Sequence, residues 1–342
     1  MHKELIYLRT FLCLLIILTH VLTEFSITNE LDSSQIQKLY WVRIVLIVGT
    51  PSFIILSQLL ITLNYNKVLK SNYLKTRLQY ILIPYLIVGA FYSYSESLKL
   101  NTSFLKHFLE NVITGNWYGY FIIIIIQFFI LNWFIYKINS KILYSKKILL
   151  LSFIVNTIYL YSYQNIDNVT KFMDNYYPFK SETFIVGWIF YYFFGSYIGH
   201  NYTNIKYFLN KYIALIIFLL VFSFVMFELI GEHDYWIVSS MDYRLILYNS
   251  LAFLLLINFS SQFDSFMYNS VELIGTYSLF IYLLHPIILE YMFEYTSIFK
   301  EHTLVFIPIS LLFILGSCLG IGILLKEFKI FKYVMGRYPY KS

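Results

Sequence analysis

The chain has 342 residues, 59% of them hydrophobic and 13% charged, with a net charge of +6 and a mean hydropathy of +0.65. That balance excludes a soluble globular domain and a disordered chain, and it places the sequence among polytopic membrane proteins. Its only cysteines, Cys13 and Cys318, both lie in apolar runs, so neither a disulfide framework nor a cysteine-based metal site is expected.

A hydrocarbon core of ~30 Å needs about 20 helical residues. Apolar runs near that length are predicted at 5–25, 42–63, 78–98, 119–136, 148–163, 183–199, 212–230, 245–259, 274–291 and 304–325. The expectation is therefore all-α: a multi-pass membrane bundle of about ten helices, forming one integral domain over 1–342. No internal repeat or low-complexity linker divides it. The first run has almost no basic preamble and no small-residue cleavage site, so it reads as a retained helix.

That first run carries Arg9 near its start and His20 near its end. Eleven residues make almost three helical turns, which puts both side chains on one face, about 16 Å apart along the axis. Alone, Arg9 would serve as a snorkelling anchor and His20 as a hydrogen-bonded interior histidine. Ionisable groups in hydrocarbon are costly, at about 2.5–3.5 kcal/mol on insertion scales, and they usually face a protein interior or cavity.

Further along, Arg77 opens the third run and Glu96 closes it, and Trp117 and Tyr118 precede the fourth. The ninth holds His285-Pro286, where proline removes a backbone donor and opens space beside the histidine. Glu290 and Glu294 follow towards the outer end. Acids and aromatics on the outer side suit a carbohydrate-facing surface, although a plain interfacial belt would account for most of the aromatics.

Charge orients the bundle. With both termini cytoplasmic, Lys67, Lys70, Lys75, Arg77, Lys137, Lys141, Lys146, Lys147, Lys206, Lys211 and the C-terminal Lys326, Lys329, Lys332, Arg337 and Lys341 all fall inside. Most acids fall outside, so the positive-inside bias is satisfied. The basic loops then serve topology, an anionic inner leaflet of membrane lipids or a polyanionic cytosolic donor, and nucleic-acid binding is not expected.

Arg9-x10-His20, Gly49-Thr-Pro51 with Ser57-Gln58, Tyr73-Leu-Lys-Thr-Arg77 leading to Pro84-Tyr85, Phe194-Gly195-Ser-Tyr-Ile-Gly199, and Tyr277-Ser-Leu through His285-Pro286 occur in one order. In that order they resemble the membrane acyltransferase-3 family over nearly the whole chain. The likeness is nearer still to the branch that accompanies synthesis of the biofilm polysaccharide poly-β-1,6-N-acetylglucosamine. Two departures stand out: Ser57-Gln58 replaces the family's Ser-Gly, and Asn116-Trp117-Tyr118 replaces its His-Leu-Trp.

The resemblance implies one of two activities. One is O-acylation of the polymer, as O-succinyl groups from succinyl-CoA; the other is export of the polymer across the cell membrane. For the first, a sugar hydroxyl needs a general base near neutrality, and His20 is the candidate. Arg9 would meet the phosphates or tail of an acyl-CoA at the cytoplasmic mouth, with help from Arg77. His285 would orient the base or bind acceptor, with Glu290, Glu96, Trp117 and Tyr118 supporting. No metal or resident cofactor is expected, acyl-CoA and the polymer being substrates and a polysaccharide synthase complex a further partner. Export would need polar stripes on several helices, yet 121–134 and 311–324 are almost wholly apolar. A purely structural partner of a synthase is the third class.

Overall fold

In the computed structural model, residues 2–29, 31–65, 67–231, 234–263, 265–295, 303–328 and 333–334 are described. The described residues are helical, without strands. The helices are α1 (Lys3–Thr28), α2 (Ser33–Leu46), α3 (Gly49–Asn64), α4 (Tyr73–Leu100), α5 (Phe104–Phe108), α6 (Phe121–Ile138), α7 (Lys146–Asn165), α8 (Asp167–Tyr176), α9 (Ile189–His200), α10 (Tyr202–Lys211), α11 (Ile213–Ile230), α12 (Ile246–Ser260), α13 (Tyr268–Tyr295) and α14 (Thr303–Leu325).

Eight stretches are long and apolar enough to cross a membrane, with α2 and α3 counting together as Ser33–Asn64. The two remaining expected spans are α7 and α9. α7 ends in the polar run Tyr161-Ser-Tyr-Gln-Asn165, and α9 has only 12 residues. The basic C-terminal residues Lys329, Lys332, Arg337 and Lys341, which support an inside C-terminus, lie outside the described residues.

Local sequence sets the breaks. Asp32 and Gln35 form a reciprocal capping box that starts α2, with Gln35 N–H donating to the Asp32 carboxylate at 2.8 Å. Inside α4, Pro84 lacks a donor and would clash with the Tyr80 carbonyl, and the helix widens to a π turn over Leu78–Leu82 immediately before it. Asn101 ends α4 at φ 51°.

Two apolar cores meet along α1. One gathers Leu8, Leu12, Ile55, Leu59, Phe128, Trp188 and Tyr192; the other gathers Cys13, Ile17, Val21, Ile281, Met292, Ile314 and Cys318. Short α9 is buried against α3 because Gly195 and Gly199 let the backbones touch. A Cβ at Gly195 would lie 2.4 Å from the Ile55 carbonyl oxygen, and one at Gly199 would collide with the Thr62 hydroxyl and the Leu59 carbonyl oxygen.

Amide groups tie the same region together. Gln58 and Asn132 exchange hydrogen bonds at 2.9 and 2.7 Å, and Tyr192 donates to Asn132 at 3.0 Å. Asn156 links α7 to the start of α9 by donating to the Gly187 carbonyl and accepting from the Phe190 N–H. These bonds satisfy buried polar groups that water does not reach. They also account for Gln58, one of the two departures from the family pattern: it is the partner of Asn132.

α11 is the opposite case. It turns Leu215, Phe218, Val221, Phe222 and Leu229 outward, as a lipid-facing helix does. At the N-terminal end of α1, Lys206 of α10 donates to Glu4 at 2.7 Å and holds the two helices together.

Candidate active site

α1 and α13 pack side by side. The Tyr7 hydroxyl donates to the Phe266 carbonyl at 2.8 Å and the Thr10 hydroxyl to the Val271 carbonyl at 2.7 Å. Gly275 faces Thr10 with no side chain between them. This register brings His20 of α1 level with His285 of α13, with ring centroids 5.0 Å apart. The turn before α6 adds Tyr118, whose ring meets His20 edge-on at 4.9 Å. Three separate elements therefore converge on His20.

The two imidazoles differ. His285 is fully buried, and its Nδ1 lies 3.0 Å from the Ile281 carbonyl oxygen. A carbonyl only accepts, so the proton is on Nδ1 and Nε2 is left with a lone pair. That Nε2 is buried and has no hydrogen-bond partner. Pro286 directly behind it carries no N–H, so the Tyr282 carbonyl lacks its usual helical donor beside the ring. His20 is half-buried and has no hydrogen bond among the described residues.

Tyr282, one turn before His285, donates to the Tyr118 carbonyl at 2.6 Å and so holds the Tyr118 backbone beside the two histidines. It was not singled out from sequence, although its i, i+3 spacing from His285 was the available signal. Further along α1 and α13 than the histidines, Glu24 and Glu290 approach each other closely enough to interact, and both are felt at Tyr92 and Tyr118. Lys99 of α4 answers two acids of α13, donating to Glu290 at 2.9 Å and to Glu294 at 2.5 Å. The pair of acids four residues apart was the sequence sign of such a cation.

Two expected residues stand aside from this cluster. Trp117 is 6% exposed and donates to the Tyr85 hydroxyl at 3.1 Å, packing between Tyr85 and Tyr92 as a wall. Glu96 accepts from Asn111 at 2.6 Å and pairs with His107 at 3.2 Å, which ties α4 to α5 and the turn after it.

At the other end of α1, Arg9 and Arg77 are half-buried and close enough to repel each other. Neither forms an ion pair among the described residues. The Arg77 guanidinium instead lies over Tyr73 and Phe129, 5.6 and 5.5 Å from the ring centroids. Two half-buried cations with no counter-ion among the described residues favour an anion as a neighbour. No group of His, Cys, Asp and Glu able to hold a metal exists among the described residues. A groove of ≈ 400 Å³ between α2 and α11, lined by Gln37, Trp41, Phe224, Val225, Glu228 and Leu229, contains none of these site residues.

The family described as "Acyltransferase domain" matches residues 2–325. The "Probable poly-beta-1,6-N-acetyl-D-glucosamine export protein" of Staphylococcus aureus (strain MRSA252) is 48% identical over 339 residues, covering 99% of this chain and 97% of the relative. The protein of the same name from Staphylococcus epidermidis is 52% identical over 340 residues, covering 99% and 95%. No solved structure matches the chain.

Proposed function

The chain belongs to the acyltransferase-3 family, and from that premise we propose that it is a multi-pass membrane O-acyltransferase acting on hydroxyls of poly-β-1,6-N-acetylglucosamine. The observation that carries this reading is the pair of histidines 5.0 Å apart, one of them a buried ring with a committed Nδ1 proton and an unpartnered Nε2. An N–H of His20 turned towards Nε2 of His285 completes a chain of donors that ends at the Ile281 carbonyl. The remaining His20 nitrogen then carries a lone pair, which is the logic of a base oriented by a second group.

In this reading an acyl-CoA enters at Arg9 and Arg77, its phosphates meeting the two unpaired cations. The roughly 16 Å of helical rise from Arg9 to His20 matches the reach of the pantetheine arm. The sugar hydroxyl arrives from the outer side, past Tyr118, Tyr92 and Glu290. His20 takes its proton as the oxygen attacks the thioester carbon. The C–O bond forms, the C–S bond breaks, and the leaving thiolate recovers a proton from the imidazolium. The products are the O-acyl sugar and free coenzyme A. Succinyl-CoA is the proposed donor, and a polysaccharide synthase complex the proposed supplier of acceptor.

Export is the second reading, and the names of the relatives favour it. One substitution separates the two. His20→Ala should leave polymer at the cell surface but lower its acyl-to-sugar ratio, since loss of a general base costs about 10²–10⁴ in rate. Surface polymer and acyl content are measured on one strain, with the protein's membrane level controlled. A normal ratio with reduced surface polymer would select export instead.

A further inference from the structure

α2 carries one more cation inside the bundle. Arg43 donates through Nε to the Val238 carbonyl at 3.3 Å and through Nη1 to the Thr23 hydroxyl at 3.2 Å, and its guanidinium carbon lies 4.7 Å from the centroid of the Tyr235 ring. All three partners are neutral. No carboxylate pairs with Arg43, and its Nη2 group has no hydrogen-bond partner among the described residues. Arg244 shows the contrast: on the same side of the molecule, its Nε and Nη2 grip Asp242 at 2.9 and 2.6 Å. A half-buried guanidinium without a counter-ion is expensive at this depth. Its planar fork, already seated over a ring and pinned at two donors, is prepared for a carboxylate.

Position says what that carboxylate belongs to. Thr23 is three residues beyond His20 on α1, a rise of about 4.5 Å, which is about the reach of a short acyl chain. The charge of Arg43 is felt at His20 itself. Arg43 comes from the α2 side, whereas Tyr118, His285 and Glu290 come from the turn before α6 and from α13. Acceptor and acyl tail therefore have separate places around one base.

We propose that Arg43 holds the carboxylate at the far end of a dicarboxylic acyl group while the thioester carbon lies beside His20, so that the site selects an acyl group bearing negative charge. The inference rests on the acyltransferase reading and adds to it the residue that sets acyl specificity. A site built around an unpaired half-buried cation disfavours a neutral acyl group of the same length, because that group covers the cation without pairing it.

The test uses the full chain in lipid vesicles, an oligomer of poly-β-1,6-N-acetylglucosamine as acceptor, and two donors of equal carbon number, succinyl-CoA and butyryl-CoA. The wild type should prefer the succinyl donor by about 10²-fold or more in kcat/KM. Arg43→Gln should bring succinyl transfer down towards the butyryl rate and leave butyryl transfer within a few-fold. Equal loss with both donors would reduce Arg43 to a clamp for the 234–242 loop and overturn the proposal, as would a wild type indifferent to acyl charge. A wild type that transfers neither group would overturn the acyltransferase reading itself, a different failure. Should Arg43→Gln fail to accumulate, Arg43→Lys keeps the charge without the fork: intermediate selectivity supports the proposal, and parallel loss with both donors refutes it.

Discussion

Replacing His285 in two ways separates the base from the group that orients it. Asparagine offers a donor near the Nδ1 position and keeps the bond to the Ile281 carbonyl, 3.0 Å away in the native ring, but it puts nothing where Nε2 was. Glutamine reaches the Nε2 position and restores an acceptor. If His285 only orients His20, His285→Asn removes one neutral hydrogen bond, worth about 0.5–1.5 kcal/mol net. At about 1.36 kcal/mol per tenfold, kcat should fall about two- to thirteen-fold. That is well short of the ~10²–10⁴ expected for removing the base at His20. His285→Gln should recover most of the loss. Because the bond matters as charge develops on His20, kcat and kcat/KM should fall together with KM for the acceptor unchanged. Initial rates of acyl transfer in vesicles, at matched protein level and saturating donor, measure all three variants. A His285→Asn loss equal to or larger than that of His20→Ala would refute the assignment and make His285, with its free Nε2, the base. Glutamine no better than asparagine would refute the orienting bond.

Two further outcomes test the donor mouth and the topology. Arg9→Lys keeps the charge but loses the planar fork, so equilibrium binding of acyl-CoA should weaken by about tenfold with folding intact, and unchanged affinity would leave Arg9 as a topology anchor. Cysteines placed at exposed Lys141 and Asn175 should be labelled by an impermeant thiol reagent only from inside and only from outside, respectively; the native Cys13 and Cys318 are buried and give no background. Labelling of both from one side would refute the ten-span arrangement.

What the sequence made legible and what it concealed divide along one physical line. Relations within a helix follow from 3.6 residues per turn, so the shared face of Arg9 and His20 on α1 was readable. Relations between helices depend on which helix lies next to which, and no periodicity carries that. Glu96 looked like an acceptor ligand because it ends a helix on the outer side; it is held by Asn111 and His107, which reach it through the return of a short helix. Trp117 looked exposed because it lies between apolar runs, yet Tyr85 draws it into the core. By the positive-inside rule alone, Arg43 at the start of the run 42–63 is one more outer charge. A span beginning at 42 would put it at a membrane surface, but the helical path starts earlier, at Ser33, and passes through a two-residue turn at 47–48 into α3. Within that path Arg43 reaches Thr23, one turn beyond His20 on α1, and touches Val238 and Tyr235 of the loop before α12. A charge that hydropathy assigns to an interface is thereby half-buried within one helical turn of the proposed base, and the absence of any carboxylate partner among the described residues makes it a candidate for substrate recognition rather than anchoring.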